Sequence, residues 1–538
     1  MGGWNFADVW EAVADAAPER PALLHGAVTT SWGEFDRRAD GVAHALVAGG
    51  ATHQDKVALY SHNRPEYLET VFACGKASLV PVNTNYRYRE DELVYLWDNA
   101  DAVAVVFEGT FAERVQDVRQ RVRKVRTWLW VDDGSGGCPP WAVPFEDAAT
   151  ARSERCRSSE GRDGDDVFMI YTGGTTGIPK GAMWRQDDLF RAFNTRRGDP
   201  DRPDLDHVRA RVATVEPAVA LPACPLMHGT GFLIAINQLT EGGSVVTLPS
   251  RSFDPAEILD TVERRRVAVM AIVGDAFCRP LVAALDEHPG RWDLSSLKLV
   301  ISSGVMWSEQ TKAGLLRHAP HAVLADLLGS SEALGMGQAV ATSAGGATTA
   351  RFKLGENAMV LDDHERPVEP GSGAVGRLAV RTFMPLGYYK DPAKTAATFR
   401  EIDGVRWSIP GDFATIEADG GLRLLGRGSV CINTGGEKVF PEEVEEALKS
   451  HPGVKDSVVV GIPDQRFGEA VGALVEPWPG VHVGADEVTA HVKARIAGYK
   501  VPREILVVDS VGRSPNGKAD YAGAKRRALE LLGKERLG

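Results

Sequence analysis

The chain has 538 residues, 43% of them hydrophobic and 25% charged, and carries a formal charge of -12. This balance excludes a disordered or fibrous chain, and the length implies two or more domains. The acidic surplus argues against a nucleic-acid or anionic-membrane binder, since both need a basic face.

Residues 1–20, MGGWNFADVWEAVADAAPER, show early acidic residues and no basic start before an apolar run, so an amphipathic helix is expected and not a signal peptide. Further on, the apolar runs KVALYS, ASLVPVN, AVAVVFE and SVVTLP alternate with helical spacing such as PEYLETVFACGKA. This is the α/β pattern, with mostly parallel strands buried between helices. Residues 195–213, TRRGDPDRPDLDHVRARVA, are charged and proline-bearing and read as a surface loop or lid. The run VAVMAIV falls far short of the roughly 20 residues a membrane helix needs, so no integral membrane segment is expected.

Near residue 420 the texture changes to short strands and turns, followed by PEEVEEALKSH with Pro441 suited to a first helical turn. Two strands, DSVVVGI and GALVEP, a helix ADEVTAHVKARIAG and a last helix after Lys518 complete a small α+β domain. The expected organisation is a large α/β domain at 1–426 and a small one at 427–538. Six scattered cysteines without a CxxC pair give no disulfide scaffold and suit a reducing cytoplasm.

The chemistry concentrates first in YTGGTTGIPKG, residues 171–181. Gly173, Gly174 and Gly177 allow a close backbone approach, while Thr172, Thr175 and Thr176 offer hydroxyls and Lys180 a cation, a composition suited to polyphosphate. A Walker A loop is disfavoured, because counting from Gly174 puts Pro179 where its second glycine belongs. Taken alone, the stretch is a flexible Gly/Thr turn with a surface lysine. No HExxH, EF-hand or Cys/His spacing appears, so no resident metal cluster is expected.

The stretch resembles the phosphate-binding signature of the adenylate-forming (AMP-binding) superfamily, with Gly173 replacing its usual serine. The resemblance continues in order along nearly the whole chain. LLGSSEALG at 327–335 is similar to the family's YGxTE element, which implies that Glu332 holds Mg²⁺ and that Ser331 reaches the phosphate. SIPGDFATI resembles the TGD element, so Asp412 would accept from both ribose hydroxyls. GRGSVCINTGGEKV resembles the entry into the small domain: Arg427 would contact ribose and phosphate, and Ser429 would stand at the hinge where an acidic residue is usual. By the same resemblance Gly435 and Gly436 line a tunnel for coenzyme A, and Lys438 meets a CoA phosphate. SPNGKAD supplies Lys518, a lysine reaching into the site from the mobile domain, and MHGTGF supplies His228 beside the acyl pocket. Ser303 and Gly304, in SSGVMWS, take the place of the adenine loop.

These residues imply an ATP-dependent acyl-CoA synthetase, an acid–thiol ligase with Lys518, Glu332, Thr176 and His228 as its catalytic set. A carboxylic acid and ATP would give acyl-AMP and pyrophosphate, and acyl-AMP and CoA would give acyl-CoA and AMP. MWRQDD, directly after the phosphate loop, resembles actinobacterial synthetases acting on medium- or long-chain or sterol side-chain acids. An aryl-CoA ligase and an adenylation enzyme loading a carrier protein are the alternatives; the second is disfavoured because no carrier-like segment follows the lysine motif. A homodimer is left open.

Overall fold

In this computed structural model the described residues are 3–152, 154–173, 179–195, 204–346, 348–434, 437–464, 468–514 and 517–533. Among them the large domain is built on two sheets. In the first, strands Pro21–His25, Ser244–Thr247, Val219–Pro222, Val269–Ile272, Leu299–Ser303 and Val323–Ser330 run parallel, as the continuous apolar runs predict. Beyond Val323–Ser330 the same sheet turns antiparallel, through Ala333–Ala341, Arg351–Leu354, Gly421–Arg427 and Asp412–Ile416. The parallel α/β pattern therefore describes one half of this sheet, and a meander of short strands the other.

The second sheet has eight strands, with Val80–Asn83, Lys56–Tyr60, Ala102–Glu108 and Thr127–Val131 parallel to one another. Its other side is the antiparallel hairpin Val167–Gly173 with Pro179–Arg185. The small domain holds a five-stranded sheet in which Val454–Asp464 and Gly468–Pro477 form the long central pair. Helix Pro441–Lys449 packs on it, and helices Ala485–Lys493 and Tyr521–Leu531 follow, as the sequence predicts. No described helix is long and apolar enough to cross a membrane.

The amphipathic N-terminal helix, Phe6–Ala16, is capped by Asn5 and buries Phe6, Val9, Trp10 and Val13 in the largest apolar core. That core also takes Phe232, Ile236 and Leu239 of helix Gly229–Thr240, each worth about 1.5–3 kcal/mol when fully buried. The start of this helix, and with it His228, is thereby fixed. Lys76 is fully buried beside it, with Nζ 3.1 Å from Glu11, 2.7 Å from Asp36 and 2.8 Å from Asp40, so one ammonium ties three helices together.

The segment read as a loop is corrected in its second half. Leu205–Thr214 is a helix, with the Asp204 carboxylate accepting from the His207 N–H and Val208 and Val212 buried against the N-terminal helix. Two buried valines and the partly buried Leu205 in ten residues are too few to show as periodicity among so many charges. Residues 196–203 lie outside the described part.

Candidate active site

The phosphate-loop hairpin is held by seven paired positions, with Thr172 opposite Lys180 and Gly173 opposite Pro179. Gly174, Thr175, Thr176 and Gly177 lie outside the described residues. Lys180, read from sequence as a cation for polyphosphate, already has a counter-ion: its Nζ is 2.8 Å from Asp391 Oδ2. At the foot of the hairpin, Trp184 donates its indole N–H to the carbonyl of Ser331 (2.8 Å), fastening the two motifs to each other.

Glu332 lies in the turn between strands Val323–Ser330 and Ala333–Ala341 and is 8% exposed. Its Oε1 accepts from the Tyr388 hydroxyl at 2.7 Å, and its carbonyl accepts from Ser408 Oγ at 2.7 Å. Burial and the Glu332 charge push the Tyr388 phenol far above its ordinary range, so it stays a donor. Tyr388 comes from a two-residue strand, Gly387–Tyr388, added to the edge of the hairpin. Sequence reading missed both Tyr388 and Asp391; the signal was there in GYYKDP, a run of polar-tipped aromatics with no periodicity.

Asp412 and Arg427 face each other across paired strands, and Arg427 Nε donates to Asp412 Oδ1 at 3.2 Å. The other carboxylate oxygen, Oδ2, is buried with no hydrogen-bond partner among the described residues. Asp412, then Glu332, raises the Arg427 pKa further. Before Arg427 stands Gly426 with φ +126°, where a Cβ would come within 2.2 Å of Glu442 Oε2, so a side chain is excluded. Ser429 sits in the short 3-10 turn Gly428–Val430, its side chain outside the described part.

Lys518 reaches this place from the small domain. Its side chain keeps exposed surface, and desolvation by the protein around it, then Arg427, lowers its pKa against the pull of Glu332 and Asp412. A Cβ on Gly304, which has φ +93°, would lie 3.8 Å from Lys518 Cε and 3.8 Å from Thr230 Oγ1. Ser303 ends strand Leu299–Ser303, and its carbonyl accepts from Thr230. His228 caps the helix that carries Thr230; burial, then Lys518, drives its pKa down to about 3, so it is neutral at pH 7.

Residues expected from sequence thus converge from distant positions: Glu332, Asp412, Arg427 and Lys518 act on one another electrostatically, with Gly304 and His228 alongside Lys518, and the structure adds Thr230 beside Gly304. Gly435 and Gly436 lie outside the described residues, and so does the side chain of Lys438, whose backbone pairs with Asn433. Behind His228 a narrow crevice is lined by Tyr67, Val71, Met169, Leu226, Met227 and Phe232 among others, with no lysine, arginine or carboxylate. Its free volume is about 10 Å³, room for about one water.

Two cations beside two buried carboxylates, one with an unsatisfied oxygen, suit a ligand carrying both phosphate and hydroxyl groups. Comparison with known proteins agrees. Residues 10–389 match the AMP-binding enzyme family and residues 443–518 the AMP-binding enzyme C-terminal domain. The chain is 41% identical over 537 residues to a medium/long-chain-fatty-acid–CoA/3-oxocholest-4-en-26-oate–CoA ligase of Mycolicibacterium smegmatis, covering 97% of this chain and 96% of that protein. It is 42% identical over 543 residues to a 3-oxocholest-4-en-26-oate–CoA ligase of Rhodococcus rhodochrous, covering 97% and 95%. A solved anthranilate CoA ligase in complex with anthranoyl-AMP superposes with a TM-score of 0.84 over 99% of this chain and 98% of its own; at 20% identity this speaks to the fold alone. With its fold, its motifs in order and relatives over nearly its full length, the chain belongs to the AMP-binding enzyme family.

Proposed function

We propose that the protein is an AMP-forming acyl-CoA ligase acting on a medium- or long-chain fatty acid or a sterol side-chain acid. The observation that carries the reaction class is the meeting of Lys518, Arg427, Asp412 and Glu332 beside Gly304. In the first half-reaction a carboxylate oxygen of the acid attacks the α-phosphorus of ATP and pyrophosphate leaves. Asp412 accepts from the ribose hydroxyls, its buried Oδ2 having no other partner among the described residues. Arg427 and Lys518 offset charge on the phosphate oxygens, the 172–181 loop with Thr176 and Ser331 holds them, and Ser303 with Gly304 backs the adenine. Neutral His228 can donate an N–H to the acid without adding a cation next to Lys518.

Glu332 fits a magnesium ion arriving with ATP: one oxygen is engaged by Tyr388, leaving the other for a hard cation. Such an ion supplies charge neutralisation of the phosphates. In the second half-reaction the CoA sulfur attacks the acyl carbonyl, AMP leaves and the thiol proton is lost. For that step Lys518 withdraws as the small domain turns about Ser429, and CoA approaches past Gly435, Gly436 and Lys438. We put the domain boundary at 426/427, just inside the end of strand Gly421–Arg427; the interval between the two matched family regions, 390–442, is compatible with it.

Support for the acid comes from the relatives' named substrates and from the apolar crevice without a cation. Its present volume admits no acyl chain, so its lining must repack on binding; Met169 and Met227 in that lining suit such repacking, since methionine is flexible. The test is pyrophosphate release, then CoA-dependent AMP release, with acetate, octanoate, palmitate, a cinnamate and a steroid side-chain acid. Each buried methylene contributes about 0.8 kcal/mol, so octanoate should exceed acetate in kcat/KM by at least two orders of magnitude. A preference for acetate or cinnamate sinks the acid assignment, and AMP release that ignores CoA sinks the ligase assignment.

A further inference from the structure

The small domain also touches the large one at helix Gly274–Glu287. Arg279 on this helix donates from Nη1 to the carbonyl of Lys455, in the small domain's central strand, at 2.7 Å. Its Nε and Nη2 are meanwhile fixed on Asp275 at 3.3 and 3.2 Å, and its guanidinium lies 6.0 Å from the ring of Trp478, also in the small domain. Asp275 is buried and accepts from Ser308 N–H, Ser308 Oγ and Thr311 Oγ1. Burial raises its pKa, but Lys449 of the small domain, Arg279 and these donors outweigh it, so the carboxylate stays charged. Asp275 is therefore a fixed anion at the domain boundary, and Arg279 is the arm it holds out.

What the arm grips is one residue from a chain of contacts ending at Lys518. Asp456, next to Lys455, holds Arg513 at 2.6 and 3.0 Å. Arg513 donates to the carbonyl of Gly517 at 3.2 Å, and the Ser514 N–H donates to the carbonyl of Lys518 at 2.9 Å. Gly517 in turn lies against the same helix, where a Cβ on it would be 2.8 Å from Ala276 Cβ. The helix start is also tied to the strand before Gly304, since Gly274 N–H donates to Ser302 Oγ at 2.9 Å. One helix thus seats both the loop carrying Lys518 and the strand end it faces.

From this geometry we infer that Arg279 is a positioning residue for adenylation: its grip on the Lys455 carbonyl holds Lys518 at the reacting phosphate. The inference rests on the ligase reading above. Arg279 touches no reacting atom, and conversion of acyl-AMP to acyl-CoA, for which Lys518 withdraws, does not use its grip. Loss of one charge-assisted hydrogen bond corresponds to about a 10- to 100-fold effect.

The test is performed on the full chain with octanoate and octanoyl-AMP. Arg279→Ala should lower octanoate-dependent pyrophosphate release about 10- to 100-fold, mainly in kcat, and change CoA-dependent consumption of octanoyl-AMP less than about twofold. Arg279→Lys, which keeps a cation for Asp275 but cannot grip both partners with one planar fork, should show the same split at smaller amplitude. It also serves if the alanine variant does not fold. Equal loss in both half-reactions, or loss in neither, with wild type active in both, overturns the inference. Wild type inactive in both overturns the ligase reading, and the inference with it.

Discussion

Asp412→Ala should impair the use of ATP through the ribose, and the expected size follows from the buried oxygen. Asp412 Oδ2 has no partner among the described residues, a state that costs about 1–3 kcal/mol until a donor arrives. Hydroxyls bonding to the charged carboxylate recover that cost and add a charge-assisted bond of about 1.5–3 kcal/mol. Allowing for overlap, the variant should lose about 2–4 kcal/mol, or about 30- to 700-fold in kcat/KM for ATP. Because Arg427 also loses a partner, the loss alone does not identify the ribose contact. Repeating the titration with 2′-deoxy-ATP does: wild type should lose part of the same energy, and Asp412→Ala little more. If the two losses simply add, Asp412 does not bind the ribose and its assignment fails.

Lys518→Ala should abolish acid-dependent pyrophosphate release, by about 10² to 10³, while sparing conversion of supplied acyl-AMP; equal loss of both refutes a domain rotation. Gly436→Leu should leave adenylation intact and block thioester formation, and surviving CoA turnover would make Gly436 a mere turn residue. The third concerns pH. Burial, then Glu445, raises the Glu442 carboxyl from 4.5 to about 8, so the fold favours its neutral form. That contribution is complete below pH 4.5, the unfolded value, and is lost as pH rises through about 8. In thermal melts Glu442→Gln should therefore show a shallower fall of Tm than wild type between about pH 5 and 8.5, and parallel curves refute it.

Much of the site was legible because each motif is local: a glycine-rich hairpin, an acidic turn, an aspartate after glycine, a lysine on a turn. Their convergence was not. Nothing in the spacing of residues 228, 332, 412 and 518 brings them to one cleft; that comes from two sheets and a docked small domain. The family resemblance supplied the convergence, and the fold carries it for the described residues. Tyr388 and Asp391 stayed hidden because a two-residue edge strand leaves no pattern, and their partners Glu332 and Lys180 are 56 and 211 residues away in sequence. The antiparallel half of the first sheet was equally silent, since short, half-exposed strands such as Arg351–Leu354 look like loop. Buried parallel strands such as Ser244–Thr247 announced themselves by unbroken apolar runs.

The ion pair between Lys180 and Asp391 bears on turnover. Both side chains keep contact with water, at 26% and 31% exposure, and such a pair is worth at most about 1 kcal/mol. On the proposed reaction a phosphate would compete with a carboxylate already in place, so the lysine would hold an incoming anion less tightly than a bare ammonium. The competition is mild enough for a doubly or triply charged anion to win. On departure of pyrophosphate the carboxylate would then take the ammonium back, and the leaving anion would abandon no naked charge. An internal counter-ion of this kind trades some ground-state affinity for faster clearance of product.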